Sequence, residues 1–266
     1  MMHKLNSLIL SLLIAVTLTL TAHAQDTADT LLDRIEAKAN TIQTYQADIR
    51  FDQIQGLLGD QQTRFGKLYY VVKPHVKFAV HFQRVVIDGK LRKQNRQWIY
   101  DGTWLVEKLE DKKQFFKRQV HPPPGSLNKT DQSKNLLHPE NNNDPMSLEN
   151  NPFPIPLQAK KSQVLKRFTA TLVTDKSEDD PKDIETYHLK LTPRPNLGIT
   201  FTQIDLWYDK ATLLPIKCYT VNADSDDEQI FSLFNPKLNE PIDKKDMDTS
   251  APTDRGWQIE VTPLKH

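Results

Sequence analysis

The sequence predicts a mainly β protein of the α+β class, an antiparallel sheet preceded by a helix, and three observations carry that expectation. From Tyr45 onward apolar residues repeat with period two, as in Tyr45, Ala47, Ile49 and Phe51, and comparable runs recur through most of the chain. Short turn signals separate many of these runs, which favours antiparallel neighbours. With only eight glycines and no Gly-rich phosphate loop, dinucleotide-binding folds are disfavoured.

The elements follow in chain order. Lys4 precedes an apolar stretch from Leu8 to Leu20 and then Thr21-Ala22-His23-Ala24, a short hydrophobic region ending in an A-x-A signal. That stretch falls short of the roughly 20 residues needed to span a bilayer. Residues 1–24 are therefore expected to be a secretory signal peptide cleaved after Ala24, which places the mature chain in the periplasm. Residues 25–266 are expected to form a single domain. The full chain has 35 Lys+Arg and 34 Asp+Glu, and loss of Lys4 leaves 34 of each, so no phosphate-binding surface and no nucleic-acid partner is expected.

Thr30 to Ile42 then reads as an amphipathic helix, with Leu31, Leu32, Ile35, Ala39 and Ile42 on one face and a Thr30/Asp33 capping pattern. Strands are expected near 45–55, 63–73, 76–87, 96–101, 103–109, 113–119, 168–174, 185–192, 199–208, 215–222, 228–234 and 257–262. Gly59-Asp60, Lys73-Pro74-His75, Asp88-Gly89, Asp101-Gly102, Asp209-Lys210 and Asp224 to Asp227 supply turns. His121 to Pro156 breaks the rhythm with Pro122-Pro123-Pro124-Gly125 and Asn141-Asn142-Asn143-Asp144-Pro145, and Leu157 to Phe168 follows as a short helix. A connection of that length inside one domain is usually functional or disordered. The acidic loop Asp175 to Asp183 reads as a solvated turn.

Catalytic and metal patterns are missing from the sequence. There is no G-x-S-x-G, no H-E-x-x-H and no paired cysteines. Cys218, the single cysteine, lies in a run that reads as an ordinary strand, so it is expected to be buried and not a nucleophile. No cofactor and no metal are expected, and the chain is not expected to be an enzyme.

Apolar side chains carry the functional expectation. Leu68-Tyr69-Tyr70-Val71-Val72 and Ile204-Asp205-Leu206-Trp207-Tyr208 are rich in large residues on both faces, so both sides of the sheet should be at least partly covered. A sandwich or a helix-covered sheet satisfies this. So does a curved sheet whose concave side is closed by helices and a loop over an apolar cavity, where each buried methylene of an acyl chain contributes about 0.8 kcal/mol. Periodicity leaves the two open.

The order of several short blocks resembles the LolA-like periplasmic lipoprotein carriers. These are Tyr45-Gln46-Ala47-Asp48-Ile49 after the helix, Gly66 to Pro74 with its apolar strand and basic-Pro turn, and Asp101-Gly102-Thr103-Trp104-Leu105. His188 to Pro193, Ile204-Asp205-Leu206-Trp207 with Leu213-Leu214-Pro215, and Asn235 to Asn239 complete the match. The resemblance implies a curved antiparallel sheet forming an incomplete barrel, with an N-terminal helix and a helical and loop lid over an apolar cavity, the lid supplied by residues 121–168. It implies that Lys73 tethers the lid where the family ordinarily has Arg, although Lys cannot present Arg's planar fork to several carbonyls.

Candidate wall residues are Leu68, Tyr70, Phe78, Val80, Phe82, Ile204 and Leu206, with Leu165 and Phe168 from the lid. The function implied is a monomeric periplasmic carrier. It would bind the acyl chains of lipoproteins or lipids and pass them from an inner-membrane donor protein to an outer-membrane acceptor protein. The alternative is an envelope sensor or interaction protein that uses the same fold to bind a protein partner and carries no lipid.

Overall fold

A computed structural model of the chain describes residues 26–72, 76–120, 157, 160–197 and 199–264. Residues 1–25, among them the expected signal peptide, Lys73 and nearly all of 121–159 lie outside them. Helix α1 (Ala28–Ala39) starts earlier than the sequence suggested. Thr27 caps it: the Thr30 amide donates to Thr27 Oγ1 at 3.1 Å, and the Thr27 amide donates to Thr30 Oγ1 at 2.9 Å. Thr30 is thus the third helical residue of the capping box rather than its start, because Ala28 and Asp29 extend the helix towards the N-terminus.

Twelve strands follow: β1 (Thr44–Ile54), β2 (Gln61–Val71), β3 (Lys77–Ile87), β4 (Lys90–Tyr100), β5 (Trp104–Leu109) and β6 (Gln114–Gln119) form the first run. A seven-residue helix α2 (Lys161–Arg167) leads into β7 (Phe168–Val173), β8 (Thr186–Pro193), β9 (Phe201–Asp209), β10 (Pro215–Asn222), β11 (Glu228–Leu238) and β12 (Gln258–Thr262). Strands β1 to β6 and β7 to β11 are antiparallel meanders closed by the signalled turns; at Asp101, for example, Oδ1 accepts from the amides of Thr103 and Trp104 at 2.9 and 2.8 Å.

All twelve strands belong to one sheet, ordered β12-β6-β5-β4-β3-β2-β1-β11-β10-β9-β8-β7, which curves without closing into a barrel. The two meanders join where β1 pairs with β11. Curvature has a local cause between β2 and β3. Phe65 lies opposite Arg84 and Gly66 opposite Phe82, so Gln83 is an extra residue, a bulge that bends the strand and increases its twist. Gly66 is required there, since a Cβ would stand 2.0 Å from the His81 carbonyl oxygen.

One pairing departs from the antiparallel expectation: β12 lies parallel to β6, Glu260 opposite Phe116. A parallel neighbour needs a long crossover. Here the chain leaves β11 in the middle of the sheet and crosses the convex face through a 3₁₀ turn at Lys244–Met247 to reach the far edge. No helix among the described residues is long and apolar enough to cross a membrane.

Candidate functional site

The inward parity of each strand defines a concave face, and the pairing lays it out in rows. One row crosses eight strands as Leu172, Leu189, Leu206, Cys218, Phe231, Phe51, Arg64 and Val85. A neighbouring row reads Ala47, Leu68, Val80, Trp98, Glu107, Phe116 and Glu260. The face therefore grades from apolar over β1–β3 and β7–β11 to mixed over β4–β6 and β12. At the mixed end Glu107, Phe116, Arg118, Glu260 and Thr262 line an open groove of about 270 Å³.

Leu68, Tyr70, Phe78, Val80, Phe82, Phe168, Ile204 and Leu206 all fall in one continuous apolar cluster and are 0–1 % exposed. Leu165 packs against the same cluster while partly exposed. The structure therefore brings all nine candidate wall residues together. Lys73 lies outside the described residues. At such burial the wall residues touch protein, so an acyl chain could reach them only by displacing what covers them.

The cover is α1 with α2. Leu31, Leu32 and Ile35 of α1 and Val164 of α2 enter the cluster, together with Leu157. A seven-residue helix is not stable alone, and α2 has no side-chain cap of its own. Its amide at Lys161 donates instead to Glu36 Oε2 of α1 at 2.9 Å. Lys161 Nζ donates to Asp29 Oδ2 and Asp33 Oδ2 at 2.7 and 2.8 Å, and these carboxylates, Asp29 first, raise its pKa. Arg194 Nε holds the other end, donating to the Leu165 carbonyl at 2.9 Å. Both aspartates are well exposed, so the clasp is screened by salt.

Sequence reasoning missed several members of the face: Phe51, Trp98 and Phe231, which with Phe82 form an aromatic cluster, and the charged Arg64, Arg96 and Glu107. Phe51 and Phe231 stack at 4.4 Å, and Phe82 meets Trp98 edge-on at 5.2 Å. Counting back by twos from Tyr70 and Leu68 passes Gly66 and reaches Arg64, so strand parity alone could have found it. Cys218 is fully buried in this cluster, and burial pushes its thiol pKa well up, which suits packing rather than reactivity.

The outward apolar residues that suggested two covered faces are covered by loops. Tyr69, Met247 and Trp257 pack around Ala79, Ile99, Val106 and Phe115 beneath the C-terminal crossover. On the other flank the acidic 174–185 loop is solvent-exposed at most positions, as its reading as a solvated turn expects, but it is also anchored to the sheet at Trp207 and Lys217. Trp207 Nε1 donates to Asp180 Oδ1 at 2.6 Å, and Lys217 Nζ donates to the Asp179 carbonyl at 2.6 Å. Nearby His188 Nε2 lies 2.8 Å from Asp205 Oδ1, its ring stacked on Trp207 at 4.3 Å. No group of three or more His, Cys, Asp or Glu placed to hold a metal occurs among the described residues.

No family profile and no curated protein matches this chain. Solved structures do. An uncharacterized conserved protein from Thermus thermophilus is 11% identical, covering 89% of this chain and 99% of its own, with a TM-score of 0.47. A LolA superfamily protein from Nitrosomonas europaea is 11% identical over 82% of this chain and 96% of its own, with a TM-score of 0.35. A chain of the Pseudomonas aeruginosa MucA/MucB complex is 14% identical over 84% of this chain, with a TM-score of 0.42, and this chain spans 61% of its length. At these identities no ligand or partner is carried over from those proteins.

Proposed function

We propose that the protein is an exported carrier that holds the acyl chain of a lipid or lipoprotein against its concave face and delivers it towards the outer membrane. The observation that carries this reading is the run of apolar residues from Leu172 to Phe51, unbroken across the concave face, under two helices whose tether is ionic rather than covalent. Opening α1 and α2 would expose a trough suited to a flexible hydrocarbon, and closing them would exclude water from it. Binding and release need no covalent step.

The carrier would work as a periplasmic monomer of one domain after cleavage at Ala24, taking cargo from an inner-membrane donor protein and giving it to an outer-membrane acceptor. Residues 121–168 would complete the lid, with Lys73 as its tether.

A second reading draws on the same packing. Wall residues at 0–1 % exposure are also what a filled core presents, which favours an envelope interaction protein that binds a protein partner and no lipid. Native mass spectrometry of the protein purified gently from the periplasm, with organic extraction of bound material, separates them. The carrier reading expects a stoichiometric acylated ligand. A ligand-free monomer that also refuses added fatty-acyl probes would mean a filled core and favour the second reading, which a partner pull-down then tests.

A further inference from the structure

Arg64 is the one charge that the row from Leu172 to Val85 brings onto the apolar floor. Its side chain sits on β2 between Phe51 and Val85, and the residue is 6 % exposed. Nη2 donates to Gln62 Oε1 at 2.7 Å and Nη1 to Gln53 Oε1 at 3.3 Å, both neutral acceptors. Nε has no hydrogen-bond partner, and no carboxylate lies within ion-pairing distance of the guanidinium, among the described residues.

The other arginine near this end of the face is treated differently. Arg96, directly opposite Phe82, stacks on Trp98 at 5.0 Å, and its Nε–H donates a hydrogen bond to Glu107 Oε1 at 2.8 Å. Trp98 Nε1 donates to the same carboxylate oxygen at 3.4 Å. Glu107, the carboxylate whose charge bears on Arg64 among the described residues, is therefore engaged by Arg96. Burial, with Arg96 adding like-charge repulsion, pushes the Arg64 pKa down to about 10, against the weaker opposing pull of Glu107, and the group still carries its proton at neutral pH.

A buried guanidinium with no ion-paired carboxylate is costly, because its desolvation is offset only in part by two amide dipoles, the face of Phe51 at 5.9 Å and the more distant charge of Glu107. Its surroundings are not sealed: Gln53, Gln62, Arg96, Trp98 and Glu107 are each only half-buried. Arg64 Nε is itself buried, so an anion reaches it by displacing this half-buried rim; it then finds an unused Nε–H donor, a second guanidinium beside it, and the aromatic floor of Phe51, Phe82 and Phe231.

We propose that Arg64 and Arg96 form a subsite for the anionic group, carboxylate or phosphate, of an amphiphile whose hydrocarbon chain lies along Phe51, Phe82 and Phe231. This rests on the reading of the concave face as an acyl-chain site and assigns the polarity and orientation of the ligand within it. The anion receives charge-assisted hydrogen bonds from Arg64, and the alkyl chain runs from β2 towards β9.

The test compares binding of dodecyl phosphate, dodecanol and inorganic phosphate to the full mature protein and to Arg64→Met and Arg64→Lys, each variant checked by thermal melting. The wild type is expected to bind dodecyl phosphate at least about tenfold more tightly than dodecanol, the weight of one charge-assisted contact. Arg64→Met should lose that excess with dodecanol binding unchanged, and Arg64→Lys should retain part of it. Equal binding of the two amphiphiles by the wild type, or an excess that survives in Arg64→Met, overturns the subsite while leaving the carrier reading intact. If neither amphiphile binds, the carrier reading fails. Inorganic phosphate then decides the subsite alone: saturable binding that Arg64→Met abolishes supports a free-phosphate site, and no binding refutes it.

Discussion

The two faces of the sheet are buried by different means. The apolar part of the concave face is one cluster contributed by strands of both meanders and by α1 and α2, and its members contact one another directly. The convex face carries two islands: one around Phe115, covered by Met247 and Trp257 of the crossover with Lys108 over the Trp257 ring, and one around Trp207, covered by a loop held through hydrogen bonds at Asp180 and Asp179. The same alternating strands supply both. A closing helix can leave the concave side without breaking a backbone ladder, whereas the convex covers are stitched to the sheet at many points, such as Thr249 Oγ1 to Asp101 Oδ2 at 3.0 Å and Lys117 Nζ to the Thr249 carbonyl at 3.1 Å. The difference places the adaptable surface on the inside of the curve.

The largest effect expected from this contrast comes from the concave cluster. Phe231→Ala removes a fully buried ring stacked on Phe51 and should lower stability by about 3–5 kcal/mol in chemical denaturation. A loss below about 1 kcal/mol would mean that this cluster is not the main core. On the convex side, Asp180→Ala strands the buried Trp207 indole N–H and should cost about 1–3 kcal/mol, with Trp207 fluorescence changing as the 174–185 loop releases.

A smaller loss, about 1–2 kcal/mol, is expected for Trp257→Ala, which trims partly buried apolar area under the crossover. Hydrogen exchange should rise in 239–262 and leave the concave strands protected; acceleration of both faces together would abolish the distinction between them. The smallest effect is a pH dependence. His81 faces Tyr69 and Asp246 on the convex side, and burial lowers its pKa below the usual 6.5 despite the nearby carboxylate. Above about pH 6.5 it is neutral folded and unfolded, but below that the unfolded chain takes up the proton first. Stability should therefore fall as pH drops below about 6.5, and His81→Gln should flatten that slope in urea titrations.

Much of this architecture was legible in the sequence. Every expected strand is present, because alternation against a single apolar face is a strong signal. β4 begins at Lys90 rather than 96 because Lys90, Arg92 and Lys93 mask the alternation, and β11 runs on to Leu238 past Asn235, which adopts φ 51°. The parallel placement of β12 was not legible, since it depends on where a crossover lands rather than on any local pattern. Nor was the docking of 174–185: an acidic loop reads as solvated until the Trp207 N–H it meets is known. At the candidate site the shared face of the apolar residues was readable from parity, whereas Arg64 was not singled out although the same parity puts it inside.

The most direct test of the account is photo-crosslinking with a fatty acid that carries a diazirine midway along its chain, followed by peptide mapping. The account predicts saturable labelling of β2, β3 and β9 at concave positions such as Leu68, Val80, Phe82, Ile204 and Leu206, competed by unlabelled fatty acid. Labelling confined to the convex loops, or none that saturates, would contradict it.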